Sequence, residues 1–319
     1  MIRSAVVGVG YLGRFHAQKH KMIPGVELVA VCDRDPEQGQ KVAQELNVEF
    51  VSDFRQLLGR VDAVTVAAST PAHFELTQFF LQNHIHVNVE KPITVSSREG
   101  EVLCRLADEK NLVLQVGHVE RFNPALVSAQ EKLNRPLFIE CHRLAPFKPR
   151  SVEVDVVLDL MIHDLDVILS LVKSEVVSVS AIGTPVLTKK VDIANARLEF
   201  VSGTVANVTA SRVSLNSQRK FRVFQQDQYL SVDFGQGEVS LLTKTGEWPE
   251  AEVLSAEADI PLERESWNLE KGDALLAETQ SFFDSIAKGQ RPVVSGWDGL
   301  VALRLAEQII DSIEQRLRP

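Results

Sequence analysis

Lys91, Asp159 and His163 are the residues of this 319-residue chain whose types and settings could move a proton. Asp159 and His163 stand four apart in the apolar run VDVVLDLMIHDLDVILSLV. That spacing puts both on one face of a helix, where a carboxylate can orient an imidazole. An imidazole with an ordinary pKa of about 6.5 suits a base at neutral pH. A core histidine satisfied by a local carboxylate is the plain alternative. Lys91 closes the run VNVEKP, where a solvated lysine at a loop start is equally ordinary. If that run is a strand of an open parallel sheet, however, Lys91 sits at the strand end outside which ligands bind. There an ammonium could stabilise a developing alkoxide. Proton removal and alkoxide stabilisation at one carbon are what the oxidation of an alcohol requires.

A hydride acceptor is written at the N-terminus. Residues 2–13 read IRSAVVGVGYLG, an apolar β-branched run ending in Gly8, Gly10, Tyr11, Leu12 and Gly13. In this setting the first glycine allows a tight turn and the second lets a pyrophosphate approach the backbone. The third allows a helix to pack on the sheet with its N-terminal amides facing the phosphates. Asp33 follows the second apolar run, ELVAVCD, placed to accept from both ribose hydroxyls of an adenosine. Its carboxylate would repel a 2′-phosphate, which points to NAD over NADP. The adjacent Arg34 could accompany a 2′-phosphate or stack on adenine. A glycine-rich structural turn is the competing reading.

Polar residues cluster again in GHVERFNPA, residues 117–125, where His118, Arg121 and Asn123 could line a substrate cleft. Asn123 followed by Pro124 also reads as a helix cap. Downstream, Arg143, Lys148 and Arg150 in HRLAPFKPR form a positive cluster, either a solvated loop or donors to a substrate diphosphate.

These residues need a scaffold. Strands are expected at 2–7, 27–32, 62–67, 85–89 and 112–116, with helices at 12–22, 36–46, 72–83 and 97–110 between them. This alternation calls for a doubly wound parallel sheet over residues 1–121. After it come a helix near 124–133, a strand at 137–144 and a buried helix over 159–172. Short alternating strands from 176 to about 243 then predict a large, open, mostly antiparallel sheet. Helices near 272–288 and 297–316 close an α+β second domain over 122–319.

The net charge of −9 argues against a nucleic-acid or anionic-membrane partner. No apolar stretch has the length of a membrane span and no leader pattern is visible, so a cytoplasmic location is expected. The three cysteines, Cys32, Cys104 and Cys141, suit neither a disulfide framework nor a zinc site and read as buried thiols. No metal is expected.

Taken in order, GVGYLG, ASTPAHFE, VEKPI, GHVERFNPA and DLMIHDLD resemble the Gfo/Idh/MocA oxidoreductases over nearly the whole chain. The resemblance implies a Rossmann domain and an open-faced second domain whose sheet mediates homodimers or homotetramers. It implies a sugar or cyclitol bound with NAD or NADP between the two. The family's catalytic lysine, aspartate and histidine fall on Lys91, Asp159 and His163, and its EKP proline on Pro92. Its cofactor loops fall on Ser69, Thr70, Pro71 and His73, and on Glu90 with Lys91. Met161 stands where many members have glycine, which would narrow the pocket. Within the family the wording is nearest the members that oxidise a nucleotide sugar, with inositol or a free aldose the alternative substrate. A dinucleotide-binding sensor without turnover is the alternative from another class.

Overall fold

The structure, a computed structural model, describes residues 1–149, 152–247, 261–269 and 272–317. The chain divides into two compact units. The first comprises Met1–Phe122 and Asp273–Arg304, and the second Asn123–Gly272 and the chain from Leu305. The first boundary lies one residue from the expected one. The assignment of everything after 121 to the second domain is corrected, since residues 273–304 return to the first unit.

The first unit is built on six parallel strands, β1 (Ile2–Val7), β2 (Val26–Cys32), β3 (Glu49–Val51), β4 (Ala63–Val66), β5 (His86–Glu90) and β6 (Leu114–Gly117). Their order is β3-β2-β1-β4-β5-β6, with the change of direction between β1 and β4. Ala5, Val6, Val64, Val66, Val87 and Val89 have no exposed surface, as strands covered on both faces require. The cover comes from α1 (Tyr11–Met22), α2 (Pro36–Leu46), α3 (Thr70–Gln82), α4 (Ser97–Glu109) and, from late in the chain, α7 (Ala274–Lys288) and the start of α8 (Gly296–Leu317).

The helix starts differ in a way that bears on function. Asp35, Ser96 and Asp273 accept from main-chain amides at the heads of α2, α4 and α7. At the heads of α1 and α3, next to the change of strand direction, the capping positions Gly10 and Ser69 make no side-chain hydrogen bond. The leading amides of α1 are left for another acceptor, whereas in α3 Pro71 has no N–H and Ala72 donates to the Ser69 carbonyl at 2.8 Å.

In the second unit the sheet has eight strands: β7 (Pro136–Leu144), β8 (Val176–Thr184), β9 (Ile193–Phe200), β10 (Val205–Ser211), β11 (Gln218–Gln225), β12 (Gln228–Asp233), β13 (Glu238–Lys244) and β14 (Leu262–Asn268). The order is β14-β13-β12-β11-β7-β10-β9-β8, antiparallel except where β10 meets β7. Inward residues such as Ile139, Cys141, Val208, Phe221 and Val223 form one core with Leu126 of α5 (Pro124–Gln130), Leu165 and Ile168 of α6 (Ile162–Val172), and Ile309 of α8. The helix expected over 159–172 begins instead as a π-helical turn, Val157–Met161, before α6. On the outward side, Phe138, Phe224 and Tyr229 form a half-buried aromatic ladder across β7, β11 and β12, with ring centres 5.6 Å and 4.9 Å apart.

All three cysteines are buried free thiols. Among the described residues no helix is long and apolar enough to cross a membrane.

Candidate active site

At the end of β1 the chain turns on Gly8, whose φ of +84° disfavours any side chain; a Cβ there would lie 2.6 Å from the Ala68 amide nitrogen. Gly13 packs against the Gly8 carbonyl, so α1 closes directly on the turn. Gly10 differs: a Cβ there would meet nothing within 4 Å. Its bareness serves no packing need, and open space in front of an uncapped helix start is what an approaching pyrophosphate requires. Asp33 binds the turn from the tip of β2, its Oδ2 accepting from the Val9 amide at 2.7 Å and its Oδ1 from Asp35 at 2.9 Å. Gln38, which sequence reasoning passed over, donates to the Val9 carbonyl at 2.7 Å. A glutamine in the first turn of α2 carries no local signal of that role. The residues present thus fit a dinucleotide, with Tyr11, Leu12 and Arg34 exposed around the turn.

Beyond β4, Ser69, Thr70 and Pro71 form the head of α3. His73, expected at the cofactor, is instead a buried brace. Its Nδ1 meets the Pro92 carbonyl at 2.9 Å and its Nε2 the Ala68 carbonyl at 3.0 Å. Burial lowers its pKa against the pull of the two carbonyls. The brace ties the loop after β4 to the cis Lys91–Pro92 peptide at the end of β5.

Glu90 is likewise held by the fold. Its carboxylate turns inward to the His16 Nε2 at 2.7 Å and accepts the Lys91 amide at 3.1 Å. Gly117, its neighbour on β6, leaves room for this, because a Cβ there would lie 3.2 Å from the Glu90 carboxyl carbon. Lys91 therefore begins its loop from a fixed main chain. His118 is buried next in sequence, and burial, reinforced by Lys91 and Arg121, pushes its pKa down to about 3. It is a neutral imidazole at physiological pH. Arg121 donates to the Val293 carbonyl at 3.2 Å.

In the second unit Asn123 caps α5 by accepting from Ala125, the capping role that its sequence allowed. Asp159 lies in the π-helical turn and His163 one residue into α6. A π-turn of this kind is a frequent mark of functional sites, since it re-aims side chains that an α-helix would place elsewhere. The turn is held from outside: the Asp155 carboxylate accepts from Val191, Val156 donates back to the Val191 carbonyl, and the buried Arg212 reaches the Val154 carbonyl. Arg212 in turn pairs with Asp192, which accepts three consecutive amides, from Val186, Leu187 and Thr188. Met161 is fully buried in the core of the unit.

Arg143 is a further correction. It is 4% exposed, and its Nε and Nη2 each lie 2.8 Å from the Asp164 carboxylate. The period of two in PLFIECHRL already placed Arg143 on the side of Ile139 and Cys141. Its guanidinium is a structural partner, not a donor to a diphosphate. Lys148 is exposed, and Arg150 lies outside the described residues.

A parallel sheet in Rossmann order with a glycine turn, an acid at β2 and a strand-end lysine defines a nicotinamide-dependent oxidoreductase. Residues 2–118 match the profile of an oxidoreductase family with an NAD-binding Rossmann fold, and residues 129–231 match the GFO/IDH/MocA C-terminal domain. The chain belongs to the Gfo/Idh/MocA oxidoreductases. It is 39% identical to a UDP-N-acetylglucosamine 3-dehydrogenase of Acidithiobacillus ferrooxidans, the similarity covering 99% of each chain. A solved structure of UDP-N-acetylglucosamine 3-dehydrogenase from that organism superposes with a TM-score of 0.91 at 37% identity, again over 99% of both chains. A scyllo-inositol 2-dehydrogenase (NAD(+)) of Bacillus subtilis is more distant, 27% identical over 95% of this chain and 92% of its own.

Proposed function

We propose that this enzyme uses NAD to oxidise the C3 hydroxyl of UDP-N-acetylglucosamine, giving the 3-keto nucleotide sugar. The observation that carries the reading is similarity to a UDP-N-acetylglucosamine 3-dehydrogenase along essentially the entire chain, well above that to the inositol enzyme.

In this reading the cofactor's pyrophosphate lies over Gly10 and its adenosine ribose on Asp33, whose remaining lone pairs accept two hydroxyls and disfavour a 2′-phosphate. Bound NAD supplies the hydride acceptor. His163 removes the hydroxyl proton, Asp159 orients the imidazole or a neighbouring hydroxyl, and Lys91 donates to the substrate oxygen as negative charge develops on it. Lys148 and Arg150 remain the cations proposed for the diphosphate. The reading extends to a cytoplasmic homodimer or homotetramer, supported by the outward aromatic ladder on the second sheet.

The test is NADH formation by purified protein with UDP-N-acetylglucosamine, inositol and glucose side by side. A coupled aminotransferase or carbonyl trap should be present so that an unfavourable equilibrium does not hide turnover. Turnover with the nucleotide sugar alone is expected. Turnover with inositol or glucose and none with the nucleotide sugar overturns the substrate, and NAD binding with no turnover on any would make the protein a sensor.

A further inference from the structure

Beneath Lys91 the layer between the first sheet and its helices holds a group of polar side chains. Asn88 and Glu90 point to one face of β5, and Gln115 lies opposite Asn88 on β6. His16 from α1 and Glu278 from α7 close over them, and His16, Asn88, Gln115 and Glu278 have no exposed surface. The Gln115 amide donates to the Asn88 side-chain oxygen at 3.3 Å and to the Glu278 carbonyl at 3.1 Å. The Glu278 carboxyl faces the Asn88 amide, while Gln115 Oε1 and His16 Nδ1 are buried without a hydrogen-bond partner.

The two acids stand in unequal surroundings. Glu90 has the His16 ring and the Lys91 amide on its oxygens and the Lys91 charge nearby, which outweigh its burial and hold its pKa below the usual value. His73 and His118 also face its charge. Glu278 has burial, then the like charge of Glu90, with only the Asn88 amide opposing them, and its pKa is pushed well up. Ionising both would place two anions in one dry site, which proteins avoid by keeping a proton on one.

We propose that Glu90 and Glu278 are a one-proton carboxyl pair, Glu278 bearing the proton and Glu90 the charge, and that both are positioning residues acting on Lys91. The fixed anion stabilises the ammonium form in which Lys91 donates to the substrate oxygen. The inference rests on Lys91 having that role, but its test reads the proton affinity of Lys91 without turnover, so it can fail while the proposed substrate stands.

Infrared spectra of the full-length protein should show the carbonyl stretch of a neutral carboxylic acid at neutral pH, lost in Glu278→Gln and kept in Glu90→Gln. Competitive acetylation of Lys91, followed by mass spectrometry across pH, should show its midpoint falling by about one unit in Glu90→Gln, the low end for an opposite charge at close range. In Glu278→Gln the midpoint should stay near wild type, because a neutral amide replaces a neutral acid. Absence of the neutral-acid band in wild type overturns the proposal. So does a midpoint moved as far by Glu278→Gln as by Glu90→Gln. Should Glu278→Gln fail to fold, the wild-type band and its shift in deuterium oxide still decide.

Discussion

Asp33 and Val9 are joined across the cofactor turn, the carboxylate of one accepting the amide of the other at 2.7 Å. The acid that would select the ribose therefore also holds the glycine loop in place. Asp33→Ser should shift preference toward NADP, yet with a loss of NAD affinity of roughly 10- to 100-fold, the range for a hydrogen bond to a charged group. Calorimetric dissociation constants for both oxidised cofactors check this. Tighter binding of NADP by wild type would reverse the assigned preference.

The glycines of the turn should separate by mechanism. Gly10→Ala adds a methyl group into open space, so it should fold with a near-normal melting temperature and lose dinucleotide affinity. Gly8→Ala must adopt positive φ and displace Ala68, and should instead lose stability. Melting curves with and without NAD distinguish the two. Equal destabilisation by both would deny Gly10 its proposed place beside the phosphates.

Lys91→Ala and His163→Ala should each lower turnover at least ~100-fold with NAD affinity little changed, as for positioned groups that act on the reacting carbon. Steady-state rates and cofactor titrations measure this. A variant retaining about half of wild-type turnover would move its residue to a structural role.

Arg143→Ala should act on folding. Removing one partner of the buried pair takes the guanidinium from the Asp164 carboxylate, at a cost of about 3–5 kcal/mol. At about 2–4 °C per kcal/mol, the melting temperature should drop by several degrees or more. An unchanged melting temperature with a raised KM for the nucleotide sugar would return Arg143 to the substrate.

Two buried histidines should cost stability on mild acidification, against an opposite contribution from the raised Glu278 carboxyl. Burial holds the His20 and His118 pKa values at about 3. Between the ordinary histidine value and pH 3 the unfolded chain binds protons that the folded one refuses. A depressed histidine therefore contributes nothing unfavourable above about pH 6.5 and costs about 1.4 kcal/mol per pH unit below it. Each should remove about 2 kcal/mol by pH 5 on that slope. Urea midpoints at pH 7 and pH 5 test this, and the dependence should weaken in His118→Asn.

Where local patterning decides structure, the sequence was readable. The apolar β-branched runs became β1, β2, β4, β5 and β6 within a residue or two, and Pro36 and Ser96 mark helix starts as their chemistry dictates. The three-residue β3 was too short to show a period. The π-turn was hidden because Asp159 and His163 keep helical spacing in sequence while the hydrogen bonding around them changes. Partners distant along the chain were equally out of reach. Nothing near Glu278 announces Glu90, and nothing near Arg212 announces Val154. The expected role of His73 gave way for the same reason, because its ring nitrogens are taken by Ala68 and Pro92, and nothing near Glu90 announces His16.

The return of residues 273–304 to the first unit sets a timetable for synthesis. When Phe122 leaves the ribosome the six-stranded sheet is complete in sequence, but α7, which covers His16, Asn88, Glu90 and Gln115, has not been made. At 5–20 residues per second, the stretch Asn123–Gly272 takes roughly 8–30 s to emerge. A sheet formed in that interval would lack its last layer, and the polar side chains under Lys91 would face water. A fragment cut at residue 122 would be arrested in that state.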